Sequence, residues 1–255
     1  MKNKRLVVCN WKMNPETVKE ATALFQVTKK HAARLRNVET IVCPPAVFLS
    51  PLAKIQSGHR VTLGAQDVFA GDVGAETGMV SAPMIASVGV RAVIVGHSEM
   101  HARGETDESV NAKVLAVLKE KMTPIICVGE KHRDHDHKYL GVIKDQITKA
   151  LVGIPKSAIA KIIVAYEPVW AIGVHAPRPA TSEEVREMVL FIRKTIADIS
   201  DRKIAQAVRI LYGASVDGTD ASGFLNDAGV NGLLVGRASL KEKTLVPILK
   251  ATDTL

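Results

Sequence analysis

The chain has 255 residues, of which 47% are hydrophobic and 24% charged, and this balance excludes disordered, collagen-like and coiled-coil proteins. Its formal net charge of +8 is compatible with a nucleic acid or a small anionic substrate and does not by itself decide between them. Basic and acidic residues are mixed along most of the chain, so we favour an ordinary mixed surface and expect no nucleic-acid partner. The three cysteines, an odd number, do not suggest a disulfide framework, so we expect a cytoplasmic location.

The amino terminus does not have the pattern of a targeting segment. The apolar run behind the basic start extends only over residues 6–9, which is too short for the core of a signal peptide. No window approaches the roughly 18 uninterrupted apolar residues of a membrane-spanning helix. We therefore expect a soluble protein that does not enter the membrane.

Eight short runs rich in β-branched residues recur along the chain, and most of them are apolar throughout. This pattern is typical of parallel strands that are covered on both faces. The predicted strands are Arg5–Asn10, Glu39–Cys43, Val61–Ala65, Arg91–Val95, Pro124–Val128, Lys161–Tyr166, Val208–Tyr212 and Gly232–Val235.

The segments between these runs have helical periodicity and helical start signals. Before Val185, for example, Thr181 is followed three residues later by Glu184, which is the pattern of a helix capping box. Eight alternations of strand and helix nearly exhaust the length, and no Gly/Ser/Pro-rich linker divides the chain. The sequence thus predicts an α/β fold, a (β/α)₈ barrel, as a single domain over residues 1–255.

In such barrels the chemistry lies at the carboxyl ends of the strands. Polar or glycine-containing segments follow five of the runs: Asn10-Trp11-Lys12, Gly96-His97-Ser98-Glu99, Glu167-Pro168-Val169-Trp170, Gly213-Ala214-Ser215 and Gly236-Arg237. One carboxylate, one imidazole, one ammonium and two glycine turns should therefore converge on one mouth.

Taken singly, each of these residues has a plainer interpretation: Glu167 as a solvated strand end, His97 as a structural histidine and Lys12 as a surface lysine. Taken together, they predict a different role. Lys12 and the backbone N–H groups of two glycine turns suit a phosphate, which leaves a carboxylate and an imidazole for proton transfer next to a carbonyl.

Six motifs occur in order along the chain: Cys9-Asn10-Trp11-Lys12-Met13-Asn14, Gly64-Ala65-Gln66, Gly96-His97-Ser98-Glu99, Cys127-Val128-Gly129-Glu130, Ala165-Tyr166-Glu167-Pro168-Val169-Trp170-Ala171-Ile172-Gly173 and Tyr212-Gly213-Ala214-Ser215-Val216. In residue type, order and approximate spacing they resemble the motifs of triosephosphate isomerases. The resemblance covers essentially the whole length. It implies an isomerase of glycolysis and gluconeogenesis that interconverts dihydroxyacetone phosphate and D-glyceraldehyde 3-phosphate through an enediolate, without metal or cofactor.

The resemblance also implies roles for the catalytic residues. Glu167 is expected to be the base, and His97, as a neutral imidazole, to donate to the carbonyl oxygen with help from Asn10 and Lys12. Glu99 is expected to anchor Lys12. A second supporting residue, Ser98, is expected to hold the base in the unliganded state.

The same resemblance assigns the phosphate to Gly173, Ser215, Gly236 and Arg237. Gly173 belongs to a lid that follows Glu167 and excludes water from the intermediate. Two glycines of the family's phosphate cradle are replaced here, one by Ala214 and one by Arg237, which leaves open whether the backbone keeps its usual conformation.

After Gly173 the chain departs from the family, because Val174-His175-Ala176-Pro177-Arg178-Pro179 is about two residues longer than the common lid. The favoured interpretation is a tolerated length variant. The alternative is a related isomerase acting on a four-carbon ketose phosphate. A non-enzymatic binding protein on the same fold is the least favoured reading, because all four catalytic positions are filled.

The resemblance further implies a homodimer, formed through a protruding loop at about residues 66–77. Met79 and Met100 stand where the family commonly has a glutamate and an arginine that meet across the interface. Replacing both charges with apolar residues avoids a buried unpaired ion. We therefore hypothesise that the two methionines approach each other across the dimer.

Overall fold

Each of the eight apolar runs forms a strand, and the strands close on themselves in sequence order as a parallel barrel. The computed structural model describes residues 4–58, 60–173 and 176–254. β1 pairs with both β2 and β8. Within the described residues the strands are β1 Arg5–Asn10, β2 Val38–Cys43, β3 Val61–Ala65, β4 Ala92–Val95, β5 Thr123–Val128, β6 Ile163–Tyr166, β7 Arg209–Tyr212 and β8 Gly232–Val235.

Helices connect the strands and cover the outside of the barrel. In the described ranges they are α1 Val18–Ala32, α2 Leu49–Ile55, α3 Ala82–Ser87, α4 Ser98–His101, α5 Asp107–Lys119, α6 Lys138–Ala150, α7 Lys156–Ile159, α8 Ser182–Ile199, α9 Arg202–Ala207, α10 Ala221–Asn226 and α11 Glu242–Asp253. Short 3₁₀ turns occupy Ala46–Phe48, Val169–Ala171 and Arg237–Leu240. None of the helices described is long and apolar enough to cross a membrane.

The predicted fold is confirmed, because a closed (β/α)₈ barrel forms and α8 begins with the predicted capping box of Thr181 and Glu184. Apolar side chains fill two layers. One layer packs between strands and helices, and the other fills the barrel interior, where it comprises Leu6, Val8, Ile41, Cys43, Ala92, Ile94, Ile125, Cys127, Ile163, Ala165, Leu211 and Leu234.

Side chains alternate between the two faces of a strand, so the set that fills the barrel interior continues to the mouth of the barrel. Successive residues of a strand point to opposite faces, so the residue two positions beyond an interior residue faces the barrel axis again. Asn10 follows Val8 in this way, and Glu167 follows Ala165. The polar groups at the mouth therefore continue the columns of side chains that form the core.

Candidate active site

A cavity of about 480 Å³ opens at the carboxyl ends of the strands, within the range of roughly 300–1,000 Å³ typical of small-molecule sites. It brings together eight of the ten predicted site residues: Asn10, Lys12, His97, Glu167, Gly173, Ser215, Gly236 and Arg237. The other two, Ser98 and Glu99, do not line the cavity but contact residues that do.

Glu167 lies at the floor of this cavity and is only 2% exposed. The backbone N–H of Ser98 donates to its Oε2 at 3.2 Å, and His97 Nε2 lies 3.3 Å from its Oε1. A Cβ at position 213 would lie 2.9 Å from the Glu167 Cγ, so glycine is required there for the carboxylate to keep this position.

The hydrogen bonds of His97 define which tautomer faces the cavity. The side chain is buried, and its Nδ1 accepts the backbone N–H of Glu99 at 3.2 Å. An acceptor nitrogen carries no proton, so this bond assigns the proton of a neutral ring to Nε2. The Nε2–H therefore points toward Glu167 and is available as a donor in the cavity.

Lys12 adopts a backbone conformation with φ of 51°, which is uncommon for a residue other than glycine. Two polar side chains hold it there: the Asn10 Oδ1 accepts the Lys12 N–H at 3.0 Å, and the Gln66 amide donates to the Lys12 carbonyl at 2.8 Å. Strained backbone of this kind persists where neighbours over-determine it. Gln66 belongs to one of the six motifs, but its residue type and position predict no role for it.

The Lys12 ammonium reaches Glu99, whose Oε1 accepts from Nζ at 2.6 Å. Partial burial of Glu99 works to raise the pKa of its carboxyl, but the hydrogen bond and charge of Lys12 outweigh burial and hold that pKa below its ordinary value. The carboxylate thus remains ionised beside the ammonium, in the arrangement expected for an anchor.

The glycine replacements at the phosphate end cost no backbone strain. Among the described residues, positive φ angles outside glycine occur only at Lys12, Lys121 and His137, and not at Ala214 or Arg237. Arg237 begins the 3₁₀ turn after β8, is exposed and lines the cavity. The Ser239 N–H donates to the Gly236 carbonyl at 2.9 Å, and the change of residue type at position 237 leaves the backbone N–H there in place as a donor.

Glu130 is a buried carboxylate whose role the sequence analysis missed. It is 1% exposed, and its Oε1 accepts from Trp170 Nε1 at 2.8 Å and from the Tyr166 hydroxyl at 2.9 Å. These bonds fix the first turn of the lid to the loop after β5. The sequence offered one signal for it: Glu130 is an ionisable residue that follows the apolar run of β5 after a single glycine.

Cys127 lies in the barrel interior beside Glu167. Its thiol is buried, and burial together with the nearby carboxylate charge raises the pKa well above the ordinary value. A thiol with a raised pKa stays protonated and is a poor nucleophile. The geometry is consistent with a packing role.

Comparison with known protein families gives a match over nearly the full length. The family model described as triosephosphate isomerase matches residues 5–252. The match begins at the first residue of β1 and ends inside α11, so it includes every strand and every loop that contributes to the cavity.

Proposed function

The chain belongs to the triosephosphate isomerase family and interconverts dihydroxyacetone phosphate and D-glyceraldehyde 3-phosphate, and we propose that Glu167, His97 and Lys12 carry out this reaction. The observation that carries the proposal is the position of the Glu167 carboxylate, 3.3 Å from the His97 imidazole at the floor of one cavity. Such a pair can move a proton and stabilise the resulting charge in the same pocket.

Glu167 removes a proton from the carbon next to the substrate carbonyl and returns it to the neighbouring carbon. His97 Nε2–H donates to the carbonyl oxygen as negative charge develops there, and the proton of the neighbouring hydroxyl moves to that oxygen, so that the carbonyl and hydroxyl groups exchange carbons. When substrate enters, these contacts replace the direct approach of the two side chains. The Ser98 N–H, which donates to Glu167 in the unliganded site, holds the carboxylate until then.

The phosphate binds at the opposite side of the cavity. Lys12 supplies a positive charge, Asn10 supports its backbone, and the N–H groups of Gly173, Ser215 and Gly236 supply further donors. The exposed guanidinium of Arg237 lies at the same mouth and adds a second positive charge. A small phosphorylated substrate accounts for this concentration of donors.

The substrate assignment is tested by comparing three- and four-carbon ketose phosphates in a coupled assay on the purified chain. We expect kcat/KM for dihydroxyacetone phosphate to exceed that for the four-carbon compound by at least about tenfold, since one extra carbon in a fitted pocket costs roughly 1–3 kcal/mol. Equal or reversed preference would favour the alternative, a related isomerase whose longer lid accommodates the larger sugar.

We also propose that the chain forms a homodimer. Large apolar side chains are exposed after each of the three adjacent strands β1, β2 and β3: Met13 92%, Val47 72%, Val73 73%, Met79 54% and Met84 49%. Large apolar side chains exposed after three neighbouring strands support an interaction surface here. Residues 72–79 are all exposed and form the tip of the protruding loop.

Within one protomer, Met79 and Met100 line the same groove of about 550 Å³. A second copy that covers this groove would bury both side chains. Their approach across the dimer remains a prediction. The lining of this groove is mostly apolar but includes the paired charges of Lys113, Asp67 and Glu105, and the position of both methionines in it supports their replacement of the family's charged pair.

Analytical sedimentation of the wild-type protein should give a mass about twice the 27.5 kDa of the chain. Met79→Glu should shift the equilibrium between monomer and dimer toward monomer, because it places a charge in the proposed apolar interface. Leu190→Glu is the matched control, since Leu190 is similarly exposed on α8. A monomeric wild-type protein at micromolar concentration would refute the dimer.

A cytoplasmic location is proposed as well. All three cysteines are free and buried, which suits a reducing compartment.

A further inference from the structure

The lid is the loop that follows Glu167. Arg178, near its carboxyl-terminal end, packs its guanidinium against the indole ring of Trp170, near its amino-terminal end. The guanidinium carbon lies 4.7 Å from the centroid of the indole ring. The same guanidinium pairs with Glu184 through two nitrogens, at 2.6 Å for Nη2 and 2.9 Å for Nη1. A bidentate pair fixes the plane of the guanidinium as well as its position. The stack on the indole is therefore held in one orientation.

Glu184 is itself fixed by the helix in which it lies. Its Oε2 accepts the backbone N–H of Thr181 at 2.8 Å, while the Thr181 hydroxyl accepts the N–H of Glu184. The next residue, Val185, lies in the same helix, α8, and is fully buried. Arg178 thus connects Trp170, which Glu130 anchors from below, to a helix packed on the barrel.

Arg178 does not line the substrate cavity, in contrast to Arg237. Both terminal nitrogens of Arg178 are engaged by Glu184, so its charge is already compensated. Any effect of Arg178 on catalysis must therefore act through the lid and not through contact with the phosphate.

We propose that Arg178 is a positioning residue for the lid: with Trp170 and Glu184 it forms a clamp that joins the two ends of the lid and places Gly173 over the substrate phosphate. This inference rests on the proposed function, in which the Gly173 N–H binds the phosphate. Ordering a loop costs less when fewer residues between its fixed ends are free. Because Arg178 and Glu130 both hold Trp170, Gly173 lies only three residues from a fixed end of the loop.

The test compares Arg178→Met with Arg209→Met. Arg209 also pairs with a carboxylate, Glu39, at 2.8 Å, but at the opposite, amino-terminal end of the strands. Arg178→Met should raise the KM for dihydroxyacetone phosphate and the Kd of glycerol 3-phosphate about three- to tenfold, with kcat within about twofold of wild type. Arg209→Met should leave all three values unchanged.

Two further variants separate the clamp from a general structural effect. Glu184→Gln keeps an acceptor for the Thr181 N–H but loses the charged bidentate pair, so it should weaken binding as Arg178→Met does. Arg178→Lys keeps the charge but cannot both stack and pair in a fork, so it should not restore the wild-type KM.

Tryptophan fluorescence gives a readout that does not depend on turnover. The chain has two tryptophans, Trp11 and Trp170, so the emission of Trp170→Phe measures the contribution of Trp11, which is subtracted. Arg178→Met should shift the Trp170 emission without changing the thermal midpoint. An unchanged emission with an unchanged KM would overturn the clamp while leaving the phosphate site intact. Glycerol 3-phosphate binding that Lys12→Met does not weaken would instead overturn the proposed phosphate site, and the clamp with it.

Discussion

Replacing Glu167 with Gln is expected to lower kcat about 10²- to 10⁴-fold, the usual contribution of a positioned general base. The amide cannot take the proton from carbon, while its shape and its contact with the Ser98 N–H are retained. The Kd of glycerol 3-phosphate should change by less than about threefold, because the substitution leaves the residues proposed to bind the phosphate unchanged. Steady-state kinetics and isothermal titration measure the two quantities separately.

Glu183→Gln is the matched control for this variant. Glu183 is exposed in the first turn of α8, so the same chemical change there should leave kcat within experimental error. Retention of more than about a tenth of the wild-type kcat in Glu167→Gln would mean that another group is the base.

Replacing Lys12 with Met is expected to reduce kcat/KM by at least about 10²-fold, because it removes the proposed contact of the ammonium with the bound substrate phosphate, and truncating one partner of such a buried, hydrogen-bonded charge pair costs roughly 2–5 kcal/mol. The substitution removes the ammonium from the phosphate and leaves Glu99 without its partner at 2.6 Å. The negative carboxylate then faces an anionic substrate. The Kd of glycerol 3-phosphate should rise along with the KM, in contrast to Glu167→Gln.

Lys194→Met controls for loss of an ammonium paired at the same distance, since Lys194 Nζ lies 2.6 Å from Asp198 on the surface of α8. Exposed pairs of this kind contribute about 0–1 kcal/mol, and the kinetics should not change. Unaltered phosphate affinity in Lys12→Met would remove Lys12 from the phosphate site.

The strands were predictable because both of their faces are buried. β1, β3 and β8 begin and end at the predicted residues, and the others differ by one or two. The largest difference is at β6, where the predicted strand begins at Lys161 but the observed one begins at Ile163. Lys161 donates its N–H to Ala158 in a turn, a local bond that hydrophobic pattern does not encode.

The membership of the site was also predictable, because it depends on strand ends that meet at one edge. The hydrogen bonds that hold the side chains of this cavity in place were not predictable from the sequence. The proton position on His97 depends on a backbone N–H two residues away, and the conformation of Lys12 depends on Gln66, 54 residues along the chain. Such contacts follow from the closed barrel and from its turns, not from residue spacing.

The lid shows the same limit. From the sequence, the extra residues of the lid are interpreted as a tolerated length variant, and nothing in the sequence predicts a role for Arg178. Its stacking on Trp170 appears only once the two ends of the lid lie side by side. Val174 and His175, which belong to the same departure from the family, lie outside the described residues.

The amide of Gln66 has a consequence for assembly. It donates both to the Lys12 carbonyl and to the Cys43 carbonyl, at 2.8 and 2.9 Å, and it stands at the root of the loop proposed to reach a second copy. Gln66 therefore connects that loop to Lys12, the residue proposed to contact the substrate phosphate. If two copies associate through the loop, we expect a change at the dimer interface to alter turnover, even though the proposed catalytic groups all come from one chain.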